Sequence, residues 1–204
     1  NVLRGDNLSH LVSMSSNEAA LSKALQESDD PKLQALASQV KCGDVNTTLI
    51  RTTQGRSIML QFDTHTGRPY SRLNKLCGTG ATHYGYPSRL YNDHGPTWNW
   101  HEWEDDAALA KARNNGAHPL HTQLQQEITS HQQGHGGMDF VMMYRLIRCL
   151  NEGISLDFSV YDGVLWSLVG VLSERSVADG NRRVDIPDVS GGSWNSKCEH
   201  PVFR

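Results

Sequence analysis

Asn46-Thr47-Thr48-Leu49-Ile50-Arg51-Thr52-Thr53-Gln54-Gly55-Arg56-Ser57-Ile58-Met59-Leu60-Gln61-Phe62-Asp63 is the stretch that decides the fold class. Thr47 to Thr53 and Ser57 to Asp63 are β-branched and apolar runs, and Gln54-Gly55 lies between them. Two such runs around a short glycine turn predict a β-hairpin. A third strand is expected at Arg72 to Cys77, followed by the turn Gly78-Thr79-Gly80 and a short fourth strand. Nothing between these runs is long enough for a crossover helix, so antiparallel pairing is expected.

Helical periodicity dominates further along. Met138 to Leu150 sets Met138, Val141, Met142, Leu146 and Leu150 along one side, and Gly153 stands where a C-terminal glycine cap belongs. A second helix, capped by Ser155 or Asp157, is expected to reach Val177, and its apolar character predicts burial. Gly180 ends it, and Val184 to Pro187 reads as one more short strand. Two helices are expected near Glu104 to Arg113 and His121 to Gln132. Before Asn46 the pattern is weak, with short amphipathic pieces at Asn17 to Gln26 and Lys32 to Val40. The expected architecture is α+β: an open, mainly antiparallel sheet with helices packed on one face. Residues 1–45 read as a connector and surface excursion. Residues 46–187 read as the α+β domain, with a long loop over 84–137, and residues 188–204 as a polar tail.

The 204 residues carry 19 basic and 22 acidic side chains, a formal net charge of -3. That near balance argues against a protein built to coat nucleic acid or an anionic membrane. The longest apolar stretch, Gly163 to Leu172, is interrupted by Ser167 and falls far short of the ~20 residues of a membrane span. Cys42, Cys77, Cys149 and Cys198 are too far apart for a metal knuckle or a disulfide-dense scaffold, so free thiols are expected.

Gly78-Thr79-Gly80-Ala81-Thr82-His83 approaches the dinucleotide fingerprint GxGxxG and follows a strand. Its sixth position is His83, and Tyr84-Gly85-Tyr86-Pro87 cannot open the helix whose N-terminus would cradle a pyrophosphate. A tight turn is expected. His131, His135 and Asp139 have the spacing of ligands on one helical face, but Gly134, Gly136 and Gly137 interrupt that helix. No metal site is assigned, and His135 and Asp139 read as a helix start. Glu102, Glu104, Asp105 and Asp106 read as the acidic start of a helix rather than a glycosidase pair. Trp98 and Trp100, with Trp103, lie in a polar loop where indoles either stack on a sugar ring or pin the loop to its domain. Arg68-Pro69-Tyr70-Ser71-Arg72 brings two guanidinium groups and a phenol to one sheet end. It is either a polar corner or a contact for a hydroxyl-rich ligand.

Several stretches taken together carry a resemblance. They are Arg4-Gly5-Asp6 with Leu11 to Ser16, Gly43 to Thr52, Arg68 to Arg72, His135 to Phe140, Val160-Tyr161-Asp162 with Leu165-Trp166-Ser167, and Gly191 to Trp194. In this order they resemble the C-terminal part of glycoside hydrolase family 109. That family comprises NAD-dependent α-N-acetylgalactosaminidases in the glucose–fructose oxidoreductase and inositol dehydrogenase superfamily. The resemblance implies a two-domain enzyme with a Rossmann domain holding NAD, followed by a domain with an open sheet. The second domain supplies substrate contacts and often the oligomer interface.

On that reading the NAD-binding domain and the catalytic residues lie upstream of Asn1, and the 204 residues alone are expected to be inactive. The implied reaction removes terminal α-N-acetylgalactosamine by oxidation, elimination, addition of water and reduction, which needs no carboxylate pair. Tyr70 matches the family's substrate-binding tyrosine, with Arg68, Trp98 and Trp100 as weaker substrate contacts. The partners implied are an α-N-acetylgalactosaminide and further copies of the chain, met through the sheet. Many family members are exported in bacteria. Two alternatives stay open: a non-catalytic sugar-binding or dimerisation module, and a related NAD(P)-dependent sugar oxidoreductase.

Overall fold

A computed structural model of the chain describes residues 5–63, 65–93, 99, 101–130 and 133–196. In order, the elements are strand β1 (Leu8–Ser15), helices α1 (Ala20–Gln26) and α2 (Pro31–Leu36), and strands β2 (Val45–Thr52) and β3 (Ser57–Asp63). Strands β4 (Lys75–Cys77), β5 (Ala81–Tyr84) and β6 (Arg89–Asn92) come next, then helices α3 (Asp106–Asn115), α4 (Pro119–Gln123), α5 (Gln125–Ser130) and α6 (Gln133–Gly136). Helices α7 (Met138–Glu152) and α8 (Val160–Ala178) and strand β7 (Val184–Asp185) close the sequence of elements. The fold is α+β with open antiparallel sheets, as expected. It divides into two compact units: the chain up to Gly67 together with the chain from Ile154 onward, and Arg68–Gly153.

The first unit holds a four-stranded sheet of order β3-β2-β1-β7. Every pairing in it is antiparallel. The hairpin of β2 and β3 forms as the sequence predicts, with Gly55 at φ 85° in the left-handed region of the turn. Strand β1 lies where only weak pattern is legible, and it is an inner strand. Its buried face carries Leu11 and Ser13, opposite Ile50 and Thr48 of β2, while Val12 and Met14 point outward. A serine on the inner face reverses the usual alternation, which is why the strand is hard to read.

That serine is satisfied by a hydroxyl network. The Ser13 N–H donates to Ser176 Oγ of α8 at 2.9 Å, beyond the point where β7 stops pairing with β1. Ser176 Oγ in turn donates to the Arg182 carbonyl at 2.6 Å. Ser13 Oγ meets Thr48 Oγ1 at 2.8 Å, and Thr48 Oγ1 meets Ser173 Oγ at 3.0 Å. Buried polar groups without such partners would oppose folding. Around the network Leu11, Ile50, Leu165, Leu172 and Ile186 form the apolar core.

Helix α8 starts one turn later than expected. Ser159, not Ser155 or Asp157, is its N-cap, in a reciprocal capping box with Asp162. It is not buried all round: Leu165 is 1% exposed, whereas Val164 is 43% and Trp166 47% exposed. A sheet can cover only one side of a helix, so the apolar residues of the other side stay open in this chain. Gly180 ends the helix at φ 71°.

Helix α1 has no cap of its own, since Ala19 precedes it. Asp44 supplies one from just before β2, accepting from the N–H groups of Ala19 (2.9 Å), Ala20 (2.7 Å) and Leu21 (3.3 Å). The Ala20 N–H, against the opposing effect of desolvation, leads the contacts that hold the Asp44 carboxyl below its ordinary value of 3.8. A carboxylate with a depressed folded pKa contributes stability above its unfolded pKa, and this is lost as pH falls through the folded value. Asp44→Asn is therefore expected to be less stable than wild type at neutral pH, with the gap closing below about pH 4. Denaturant unfolding at a series of pH values measures it, and a gap that ignores pH would rule out the charge as the cause.

The second unit contains the three-stranded antiparallel meander β4-β5-β6. Strands β4 and β5 therefore belong to a sheet separate from that of β1, β2, β3 and β7, where one continuous domain over 46–187 is expected from sequence. Helix α7 keeps the expected boundaries within two residues and ends at Gly153, at φ 64°. Helix α3 is capped by Asp105, whose Oδ1 accepts from the Ala108 N–H at 2.7 Å, so the acidic run is a helix start. The segment expected as one helix from His121 forms α4 and α5. Among the described residues no helix is long and apolar enough to cross a membrane.

Candidate functional site

The segment Arg68-Pro69-Tyr70-Ser71-Arg72 leads into β4 in the second unit. Ser71 Oγ accepts from the Leu73 N–H at 3.2 Å, and Leu73 takes a left-handed φ of 45°, so the chain bends sharply after Arg72. The hairpin of β4 and β5 then returns it. Gly85 N–H donates to the Asn74 carbonyl at 2.6 Å, one step beyond the Lys75–Tyr84 pair. That closure brings Tyr86 against Tyr70, edge to face, with ring centroids 6.1 Å apart and planes at 83°.

Tyr70 is 75% exposed. Its hydroxyl accepts a hydrogen bond from Arg72 Nε at 2.8 Å. The phenol in turn holds the Arg72 guanidinium above its ordinary value. Arg68 Nη1 reaches back to the Ser71 carbonyl at 3.4 Å. The segment is thus an exposed aromatic pair with a cation fixed to one hydroxyl, an arrangement able to hydrogen-bond and flank a polyhydroxylated ligand. Tyr86 and the pairing of Arg72 with Tyr70 are not legible in the sequence. The only signal for Tyr86 is an aromatic between Gly85 and Pro87.

Trp98 and Trp100 lie outside the described residues. Trp103 is described: it meets the Tyr84 ring at 6.2 Å, and the Arg89 guanidinium lies 5.2 Å from the Tyr84 centroid and 5.5 Å from that of Trp103. The adjacent Glu104 N–H donates to the Leu90 carbonyl at 2.8 Å. These contacts make Trp103 an anchor that pins its loop to β5 and β6.

The glycine-rich turn does not fit a dinucleotide. Gly78 N–H donates to the Ala81 carbonyl at 2.8 Å, closing a hairpin from β4 into β5, and His83 lies in that strand with Ser88 Oγ at 2.8 Å. The turn opens into a strand, where a phosphate site needs a helix N-terminus. His135 Nδ1 lies 3.2 Å from Asp139 at the start of α7, whereas His131 lies outside the described residues. Among the described residues no cluster of three metal-ligating side chains occurs.

In the first unit, the stretch around Gly5 and Asp6 meets that of Gly191 to Trp194. Gly5 N–H donates to the Trp194 carbonyl at 3.0 Å, and Asn7 Nδ2 donates to Asp188 Oδ1 at 3.3 Å. Asp188 also accepts from Ser190 and Gly192, and the Ser190 hydroxyl holds its carboxyl below the ordinary value. Arg4 lies outside the described residues.

Residues 1–196 match the family model described as glycosyl hydrolase 109, C-terminal domain. A glycosyl hydrolase family 109 protein of Shewanella baltica is 42% identical over 199 residues, which are 96% of this chain and 42% of the relative. One from Shewanella putrefaciens is 43% identical over 197 residues, 95% of this chain and 42% of its own length. The chain thus spans well under half the length of these curated relatives.

Proposed function

Because the chain belongs to glycosyl hydrolase family 109, matching its C-terminal domain over residues 1–196, we propose that it is the substrate-binding and assembly part of an NAD-dependent glycosidase. The substrate is a terminal α-N-acetylgalactosaminide, cleaved by oxidation, elimination, addition of water and reduction. The NAD of that reaction is not placed on the Gly78 to His83 turn, which runs from strand to strand.

The observation that carries the reading is the exposed Tyr70 hydroxyl, held by Arg72 and flanked by Tyr86, at the tyrosine to which the resemblance gives a substrate-binding role. Its role is to hydrogen-bond the sugar, with Arg68 beside it. The assembly role rests on the outer face of the first unit's sheet. There Val12, Leu49 and Met59 lie side by side across β1, β2 and β3, exposed and apolar. A second copy covering that face would remove it from water.

The test is product analysis on the full-length protein with NAD and an α-N-acetylgalactosaminide. Release of free N-acetylgalactosamine is expected, and Tyr70→Phe is expected to lower kcat/KM about tenfold, the scale of one lost hydrogen bond to ligand. A product oxidised with its glycosidic bond intact would replace this reading by a sugar oxidoreductase. Binding of the sugar without either reaction would leave a carbohydrate-binding module.

A further inference from the structure

We propose that Arg72 is a positioning residue: it fixes the Tyr70 hydroxyl so that the phenol's own proton is presented to an acceptor oxygen of the bound sugar. This rests on the reading of Tyr70 as a sugar contact. A phenol has one proton to donate and lone pairs with which to accept, whereas a guanidinium only donates. The 2.8 Å bond from Arg72 Nε can therefore run in one direction only, and Tyr70 is its acceptor. The phenol's proton is excluded from that bond and must point elsewhere.

The ring around it is held as well. Tyr86 stands edge-on to Tyr70. Leu73 is turned by its bond to Ser71, which sets the backbone on which Arg72 is carried. With Tyr70 three-quarters exposed, the remaining direction for its proton is toward solvent or ligand. An unassisted phenol donates to and accepts from a sugar hydroxyl equally well. One already accepting from a cation is biased toward donating, so the oxygen it favours is one that offers lone pairs alone, such as a carbonyl. A guanidinium stays charged near neutral pH, so the bias persists across the working range.

A double-variant cycle on the full-length enzyme separates this role from a loop clip. Arg72→Met is expected to raise KM about three- to tenfold while kcat changes less, the scale of one weakened hydrogen bond. In the Tyr70→Phe background the same change should cost nothing further, because Arg72 acts through the hydroxyl that is already gone. Arg72→Lys, which can still donate, should recover part of the loss. Losses that multiply in the double variant would overturn the proposal.

A second measurement needs no sugar. The Arg72 Nε–H resonance should exchange with solvent roughly threefold or more faster in Tyr70→Phe than in wild type. Unchanged exchange would also overturn the proposal. If the full-length protein cleaves no glycoside, the proposed function falls, and this exchange measurement still decides the alignment of Arg72 with Tyr70.

Discussion

Gly43→Ala is expected to destabilise the first unit severely. A Cβ built on Gly43 would lie 2.0 Å from the Ser16 carbonyl oxygen, 2.9 Å from its carbon and 3.0 Å from Ser15 Oγ. The first two atoms are backbone and cannot rotate away. Glycine is needed here for close approach, since two segments are tied across this point. Ser16 N–H donates to the Val45 carbonyl at 2.9 Å, and Asp44 N–H donates to the Asn17 carbonyl at 3.1 Å. Making room means parting these segments, which breaks both bonds and withdraws the Asp44 carboxylate from the start of α1. Overpacking in a yielding core costs about 1–3 kcal/mol, and a clash against fixed backbone should exceed that range. Gly163→Ala is the control, because its Cβ would meet nothing within 4 Å on helix α8. It should stabilise by up to about 1 kcal/mol through helix propensity. Urea unfolding of both variants measures the contrast, and equal midpoints would show that Gly43 is not a close-approach glycine.

The parts legible in the sequence are those whose partners lie nearby. The hairpin of β2 and β3 is announced by the β-branched and apolar runs on both sides of Gln54-Gly55, and α7 by its stripe and by Gly153. The turn at Gly78 is readable because Tyr84-Gly85-Tyr86-Pro87, just beyond it, cannot open a helix. Strand β1 is not readable, because its inward Ser13 is satisfied by Ser176, 163 residues away. The cap of α1 escapes notice for the same reason, since Asp44 lies 24 residues beyond Ala20. At the candidate site, the segment Arg68 to Arg72 reads from its residues as either a polar corner or a ligand contact, and the resemblance is what singles out Tyr70. Its partner Tyr86 escapes notice because it reaches Tyr70 only through the register of the β4–β5 hairpin, which returns Gly85 to Asn74. The reading of Trp103 needed the structure too, because whether an indole pins a loop or waits for a sugar depends on what lies against it. Arg89 and Tyr84 do.

Helix α8 poses the sharpest remaining question, because its sequence is apolar on every side and so does not say which side faces the sheet. The structure answers with Leu165, which is 1% exposed and packs with Leu11, Ile50, Leu172 and Ile186. Leu165→Ala removes a branched side chain from that cluster and leaves a cavity beside a sheet whose strands are fixed by hydrogen bonds. The site cannot collapse freely, so the expected cost is about 2–5 kcal/mol. Its neighbour offers the contrast. Val164 is 43% exposed, so Val164→Ala loses little burial, and alanine is the better helix former. A change within about 0.5 kcal/mol is expected there. Denaturant unfolding of this chain decides between them. A large loss at Leu165 with none at Val164 fixes the side of α8 that meets the sheet. Comparable losses at both would mean that α8 is enclosed on two sides, and that its open apolar side is covered in the folded protein.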